Sequence, residues 1–152
     1  QLAARLSSTT GSLYWHFEDR DGLIRALMDY WEKESTDKVA TLLQEVEGAP
    51  EERLLGLMKL IQANAATSGD VAIRSYAAHD AEAAAIVARS DARRAEVVGG
   101  MFRDIGFRGA ELRMRTQLFL CYESCERFVA SDATDAQRAR LMRKRWEFYC
   151  RP

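Results

Sequence analysis

Apolar positions recur along this chain mostly three and four residues apart, and no stretch alternates apolar and polar residues long enough to make a convincing strand. The pattern predicts an all-α fold. Residues 1–6 read as the end of one helix, Ser7, Ser8 and Thr9 as a turn with capping hydroxyls, and the residues up to Phe17 as a short helix. Asp19 offers an N-cap. A long helix then carries Ile24, Leu27, Met28, Trp31, Val39, Leu42, Leu43 and Val46, broken only by the polar stretch 32–38 and stopped at Gly48-Ala49-Pro50. Pro50, Glu51 and Glu52 suit the positive first turn of the next helix, whose apolar face is Leu54, Leu57, Met58 and Ile61. Ser68-Gly69-Asp70 reads as its end. A short helix over about 70–78 leads through His79-Asp80 into a longer one that closes at Gly106, where DIGFRG supplies a glycine C-cap followed by an apolar residue.

Two helices remain, over about 109–130 and 135–150. Together they hold more apolar surface than one core can use. Met114, Leu118, Cys121, Tyr122, Cys125 and Phe128 make one stripe of the first, while Leu112, Phe119 and Leu120 lie outside it. The final helix spreads Leu141, Met142, Trp146, Phe148, Tyr149 and Cys150 over a wide arc, with Arg140, Arg143, Lys144 and Glu147 on the rest. The expectation is a homodimer in which Leu118, Cys125, Phe128, Met142, Trp146 and Tyr149 meet a second copy.

With 152 residues, 47% apolar and 30% charged, the chain is long enough to bury a real core, and no apolar run approaches the roughly 18 residues of a membrane span. No contact with a membrane is expected. No secretory signal opens the sequence, and the three cysteines, Cys121, Cys125 and Cys150, are an odd number, so reduced thiols and a cytoplasmic location are the expectation. Cys121 and Cys125 share a helix face, but no histidine lies at ligand spacing beside them, so core packing is the plainer reading, with a redox or metal-sensing pair as the alternative, and no metal or cofactor is expected. A net charge of -1 argues weakly against nucleic acid, since a local basic patch is enough.

The stretch TTGSLYWHF, residues 9–17, combines rings and hydroxyls in a way that suits neither a core nor an ordinary surface. With its flanks, LAARLSSTTGSLYWHFEDRDGLIRAL at 2–27, it resembles the end of the DNA-binding domain of the TetR family of transcriptional regulators, and residues 72–107 resemble the middle of the family's ligand-binding domains. The resemblance implies that the chain starts inside the helix-turn-helix, with the first helix upstream of Gln1. It implies a DNA-binding part over 1–32, including the start of the linking helix, and a ligand-binding and dimerisation domain over 33–152. Thr9, Thr10, Gly11, Ser12, Tyr14, Trp15 and His16 match the positions that meet the major groove of operator DNA, and Arg20 stands where a lysine usually meets phosphate. Leu13 and Phe17, four apart, pack inward. Where the family's turn carries a glycine and then a buried aliphatic residue, this chain has Ser7 and Ser8.

A small, largely apolar effector is expected among the helices between Asp19 and Val129, with Trp31, Met58, Ile61, Tyr76, His79, Met101, Phe102, Phe119 and Tyr122 as candidate contacts. Gly99-Gly100 inside a helix suggests a close helix crossing, with a pocket wall as the alternative. His79 beside Asp80 has the look of a base with its orienter, but adjacent helical residues point about 100° apart, and no nucleophile or phosphate loop accompanies them. An enzyme is therefore not expected. The sequence points to a ligand-responsive repressor, with a helical carrier or adaptor without DNA binding as the alternative.

Overall fold

The computed structural model describes residues 15–44, 46–63, 67–129 and 132–151. Among them the chain forms α1 (Arg20–Glu32), a π-helical turn (Lys33–Asp37), α2 (Lys38–Gln44), α3 (Pro50–Ala63), α4 (Thr67–Ala77), α5 (Ala81–Ile105), α6 (Gly109–Val129) and α7 (Asp135–Cys150), with no strand. The ends follow local chemistry. Asp19 is extended, and its Oδ1 accepts the Gly22 N–H at 2.6 Å to open α1. Asp80 does the same for α5 through the Ala83 N–H, and Thr134 and Gln137 form a reciprocal capping box at α7. Gly106, at φ +122°, ends α5, and the Phe107 N–H returns to the Phe102 carbonyl so that the Phe107 ring folds into the core.

Helix α5 is the centre of the molecule, packing against α1, α3, α4 and α6, while α7 packs on α3. Two apolar clusters result. The larger joins Leu43, Leu54, Leu57, Met58, Val98, Met101, Phe102, Phe107, Phe119, Met142 and Tyr149. Burying each of these large side chains contributes about 1.5–3 kcal/mol. The smaller holds Met28, Trp31, Ala83, Ile86 and Val87, with Ile24, Ile73 and Tyr76 against it, and so fastens α1 to α4 and α5.

The structure departs from the sequence reading in four places. Leu27, expected on the apolar face of the linking helix, is exposed. Helix α4 begins at Thr67, through the Ser-Gly-Asp that reads as a stop, and Asp70 in its first turn accepts the buried Trp31 indole N–H from α1. The polar stretch 32–38, read as a break in the apolar pattern of one long helix, holds a π turn over Lys33–Asp37 that the pattern does not predict. Finally, Gly99 and Gly100 are not where backbones crowd: a Cβ at Gly99 would sit 3.6 Å from the Thr116 Oγ1, an ordinary contact, and one at Gly100 would meet nothing within 4 Å. The crowded glycine is Gly56, where a Cβ would lie 2.8 Å from Val46 Cγ1.

Candidate functional site

Trp15 and His16 form a short helical turn just before Asp19, with ring centroids 4.8 Å apart in an edge-on arrangement. Trp15 is 81% exposed. His16 is exposed as well. Thr9, Thr10, Gly11, Ser12 and Tyr14, like Leu13, lie outside the described residues. Arg20 is exposed, and its 3.7 Å approach to Asp21 is a surface pair that leaves the guanidinium accessible. Directly behind, Arg20, Ile24, Arg25 and Met28 of α1 face Tyr76, Asp80, Glu82 and Ile86 across a cleft of about 260 Å³. The Tyr76 hydroxyl donates to Asp80 at 3.3 Å, and desolvation with the nearby carboxylate pushes its pKa up. Asp80 is thus held by a cap and a tyrosine, while His79 is exposed beside it.

Above this cleft lies a polar network that no sequence pattern announced. Asp70, almost fully buried, accepts the Trp31 indole N–H at 2.9 Å and pairs with Arg94 at 3.3 Å and Arg74 at 3.3 Å. The Arg94 guanidinium lies 4.8 Å from the Trp31 ring centroid, and its Nε donates to Thr36 Oγ1 at 3.0 Å. Residues 31 and 36 would point about 140° apart on a regular α-helix. The wider π turn brings Thr36 round to the same guanidinium as Trp31. Arg74 continues in a two-pronged bond to Asp91 at 2.7 and 2.6 Å, which raises its pKa. Arg89 grips Glu32 in the same manner, holding that carboxylate below its ordinary range, and Arg93 reaches Asp37 at 2.6 Å. Beside these pairs, a groove of about 460 Å³ runs along Asp29, Lys33, Glu34, Thr41 and Leu42.

The nine residues expected around an effector do not gather about one space. Met58, Met101, Phe102 and Phe119 are packed into the larger cluster, with the Phe102 ring 6.1 Å from Phe107, 6.2 Å from Phe119 and 6.0 Å from Tyr149, and Ile61 lies at its edge. Trp31 belongs to the polar network, Tyr76 lines the small cleft, His79 is exposed, and Tyr122 lies on the outer surface of α6.

The expected dimer surface divides in the same way. Met142 and Tyr149 are interior residues of one chain, because Tyr149 completes the ring cluster at 5.3 Å from Phe119. Trp146 is half-buried and donates its indole N–H to the Glu51 carbonyl at 2.7 Å. Leu118 is exposed and Cys125 intermediate, and the Phe128 side chain lies outside what is described. The face left open is carried instead by Met114, Leu118 and Tyr122 of α6 with Leu141 and Phe148 of α7. Arginines brace it from behind. Arg115 of α6 donates to the Phe148 and Tyr149 carbonyls at the end of α7, and Arg138 of α7 pairs with Glu126 at 3.1 Å. Arg145 lies 3.7 Å from Glu123 and donates to the Tyr122 hydroxyl. Glu123, on the inner side of α6, is the odd member: its Oε1 has no hydrogen bond, and burial pushes its carboxyl up to about 7.

Among the described residues, no group of three or more His, Cys, Asp and Glu side chains converges to hold a metal, and no helix is long and apolar enough to cross a membrane. No family model matches the chain, and no curated protein or solved structure matches it either.

Proposed function

We propose that this chain is a ligand-responsive DNA-binding transcription regulator, a homodimeric repressor released from its operator by a small effector. The observation that carries the reading is the Tyr14-Trp15-His16 run, whose described members leave their rings in solvent immediately before a capped helix that continues into the body of the protein. Three consecutive ring-bearing residues cannot all face one small core, and rings, hydroxyls and an imidazole beside Gly11 and Ser12 suit contact with backbone and base edges. Two further features support it. The helix behind the recognition stretch is anchored on α4 and α5, so a shift in those helices reaches the DNA-facing end. The open face of α6 and α7 suits a second copy, whose role is to set two recognition helices about 34 Å apart, one turn of the duplex.

The effector class follows from the interior. The larger cluster is rich in rings, methionines and aliphatics, so a largely apolar compound is the fitting partner. The test is to sequence DNA fragments retained by the protein from a random pool. A recurrent palindrome with half-sites about one turn apart supports the reading. Retention that follows no sequence, or none above the background of a carrier protein, overturns it.

A further inference from the structure

The seam between α6 and α7 holds two buried polar atoms of complementary kind that are not joined. Glu123 Oε1 and Arg145 Nε have no hydrogen-bond partner, although their side chains are only 10% and 15% exposed. Arg145 Nη2 stands 3.7 Å from Glu123 Oε1, too far for a hydrogen bond. The guanidinium has another partner instead. It lies 4.5 Å from the Tyr122 ring centroid, and its Nη1 donates to the Tyr122 hydroxyl at 3.1 Å. Tyr122 is one of the residues that carry the open α6–α7 face.

Arg145 therefore has two partners within about 1 Å of movement, since a charge-assisted bond to a carboxylate closes at about 2.8 Å. The carboxyl proton decides between them. Neutral Glu123 exerts little pull, and burial, opposed by Arg145 and aided by Glu126, raises its pKa to about 7. Ionised Glu123 is an acceptor for a two-pronged bond from Nη2 and Nε, which satisfies both unpartnered atoms at once. The neighbouring groups are already committed. Arg138 of α7 is taken by Glu126, and Tyr149, whose pKa is raised by burial and by Glu123, stays neutral. On α4 and α5, which also pack along α6, Asp70, Arg74, Asp91 and Arg94 are bonded among themselves. We propose that Glu123 is a proton-operated latch: with the proton on, Arg145 stays on Tyr122, and with the proton lost to solvent, Arg145 moves to the carboxylate and releases Tyr122 on the open face. The consequence for association rests on the homodimer reading. A second copy laid over this face takes water from Glu123 and favours its neutral form, so two copies hold together more tightly at low pH.

The experiment is NMR of the full chain labelled at arginine, following the Arg145 Nε–H signal, assigned with Arg145→Lys, between pH 5 and pH 9. One transition with its midpoint at about 7 is expected. Glu123→Gln should hold the signal at its low-pH position throughout. Glu126→Gln should keep the transition but move it to lower pH, because the Glu126 charge helps to raise Glu123. A signal that stays in place in the wild type, or that moves equally in Glu123→Gln, overturns the latch. Sedimentation of a dilution series at pH 6 and pH 8 is the second arm. Wild-type association should be roughly tenfold tighter at pH 6, the change that a one-unit rise in pKa amounts to, and Glu123→Gln should associate equally at both. Dimers of equal strength at the two pH values in the wild type overturn the link to association. A chain that is monomeric at both removes the homodimer reading alone, and the Arg145 signal then decides the latch.

Discussion

The two interiors of this molecule are built on different physics. The cluster between α3, α5, α6 and α7 is apolar and aromatic, with Phe102 and Phe119 fully buried and their rings in edge-on contact. The cluster between α1, α4 and α5 is small, and it is sealed by charge: Asp70 is buried with Trp31, Arg74 and Arg94 around it. Non-directional burial makes the first tolerant of small displacements. The second depends on hydrogen-bond geometry, so it holds the linking helix in one position and resists partial movement. This difference matters for a protein proposed to transmit a signal from its body to a DNA-facing end. The ring cluster is closed packing, whereas in the charged cluster a helix shift has to break or keep discrete bonds.

Variants can break that contrast directly. The largest effect is expected at Phe102→Ala, which should lower unfolding free energy by about 4 kcal/mol through lost burial and the remaining cavity, as read by urea denaturation, with little dependence on salt. Asp70→Ala comes next. It removes the buried carboxylate that Arg94 and Arg74 share and should cost about 3 kcal/mol, while shifting Trp31 fluorescence because the indole loses its hydrogen bond. A simultaneous Asp70→Leu, Arg94→Met exchange should recover much of that loss, and failure to do so would show that the network does more than satisfy its own charges.

Glu123 gives the pH signature of the α6–α7 seam. Its folded pKa of about 7 lies above the ordinary carboxyl value of 4.5, so the folded state holds the proton more tightly than the unfolded one. Stability is therefore greatest below the unfolded pKa, falls as pH rises through the window from 4.5 to about 7, and is flat above it. Glu123→Gln should remove this slope and raise stability at pH 8 by up to about 3 kcal/mol, with the gap closing by pH 5. Thermal melts across that range will show it, and an unchanged slope would locate the titration elsewhere. The smallest effect is a gain. Gly100→Ala should stabilise by about 1 kcal/mol, because a Cβ there meets open space in mid-helix, whereas Gly56→Ala should destabilise through its clash with Val46.

The sequence made much of this legible, for reasons that are local. Asp19, Pro50 and the DIGFRG ending act within a few residues of themselves, so the helix ends they set could be read directly. Leu54, Leu57 and Met58 could be placed inside because their spacing matches a helical face. The charged network could not. Its partners stand 17 to 58 positions apart, and only the pairs Asp70–Arg74 and Asp91–Arg94, at helical spacing, left a trace. The same long-range demand explains why Ser68-Gly69-Asp70 continues as helix and why the polar stretch at 33–37 winds as a π turn. On the proposed DNA-facing side, Trp15 and His16 are exposed, whereas Thr9, Thr10, Gly11, Ser12 and Tyr14 lie outside the described residues.

The central claim is that the aromatic stretch ahead of α1 reads a DNA groove. The most direct measurement is a gel-shift titration of the selected operator with Trp15→Ala and His16→Ala, each checked by circular dichroism at the same concentration. Both should keep wild-type helicity and lose operator affinity, by about 1–3 kcal/mol or roughly 5- to 150-fold each. Wild-type affinity in both variants would contradict the account.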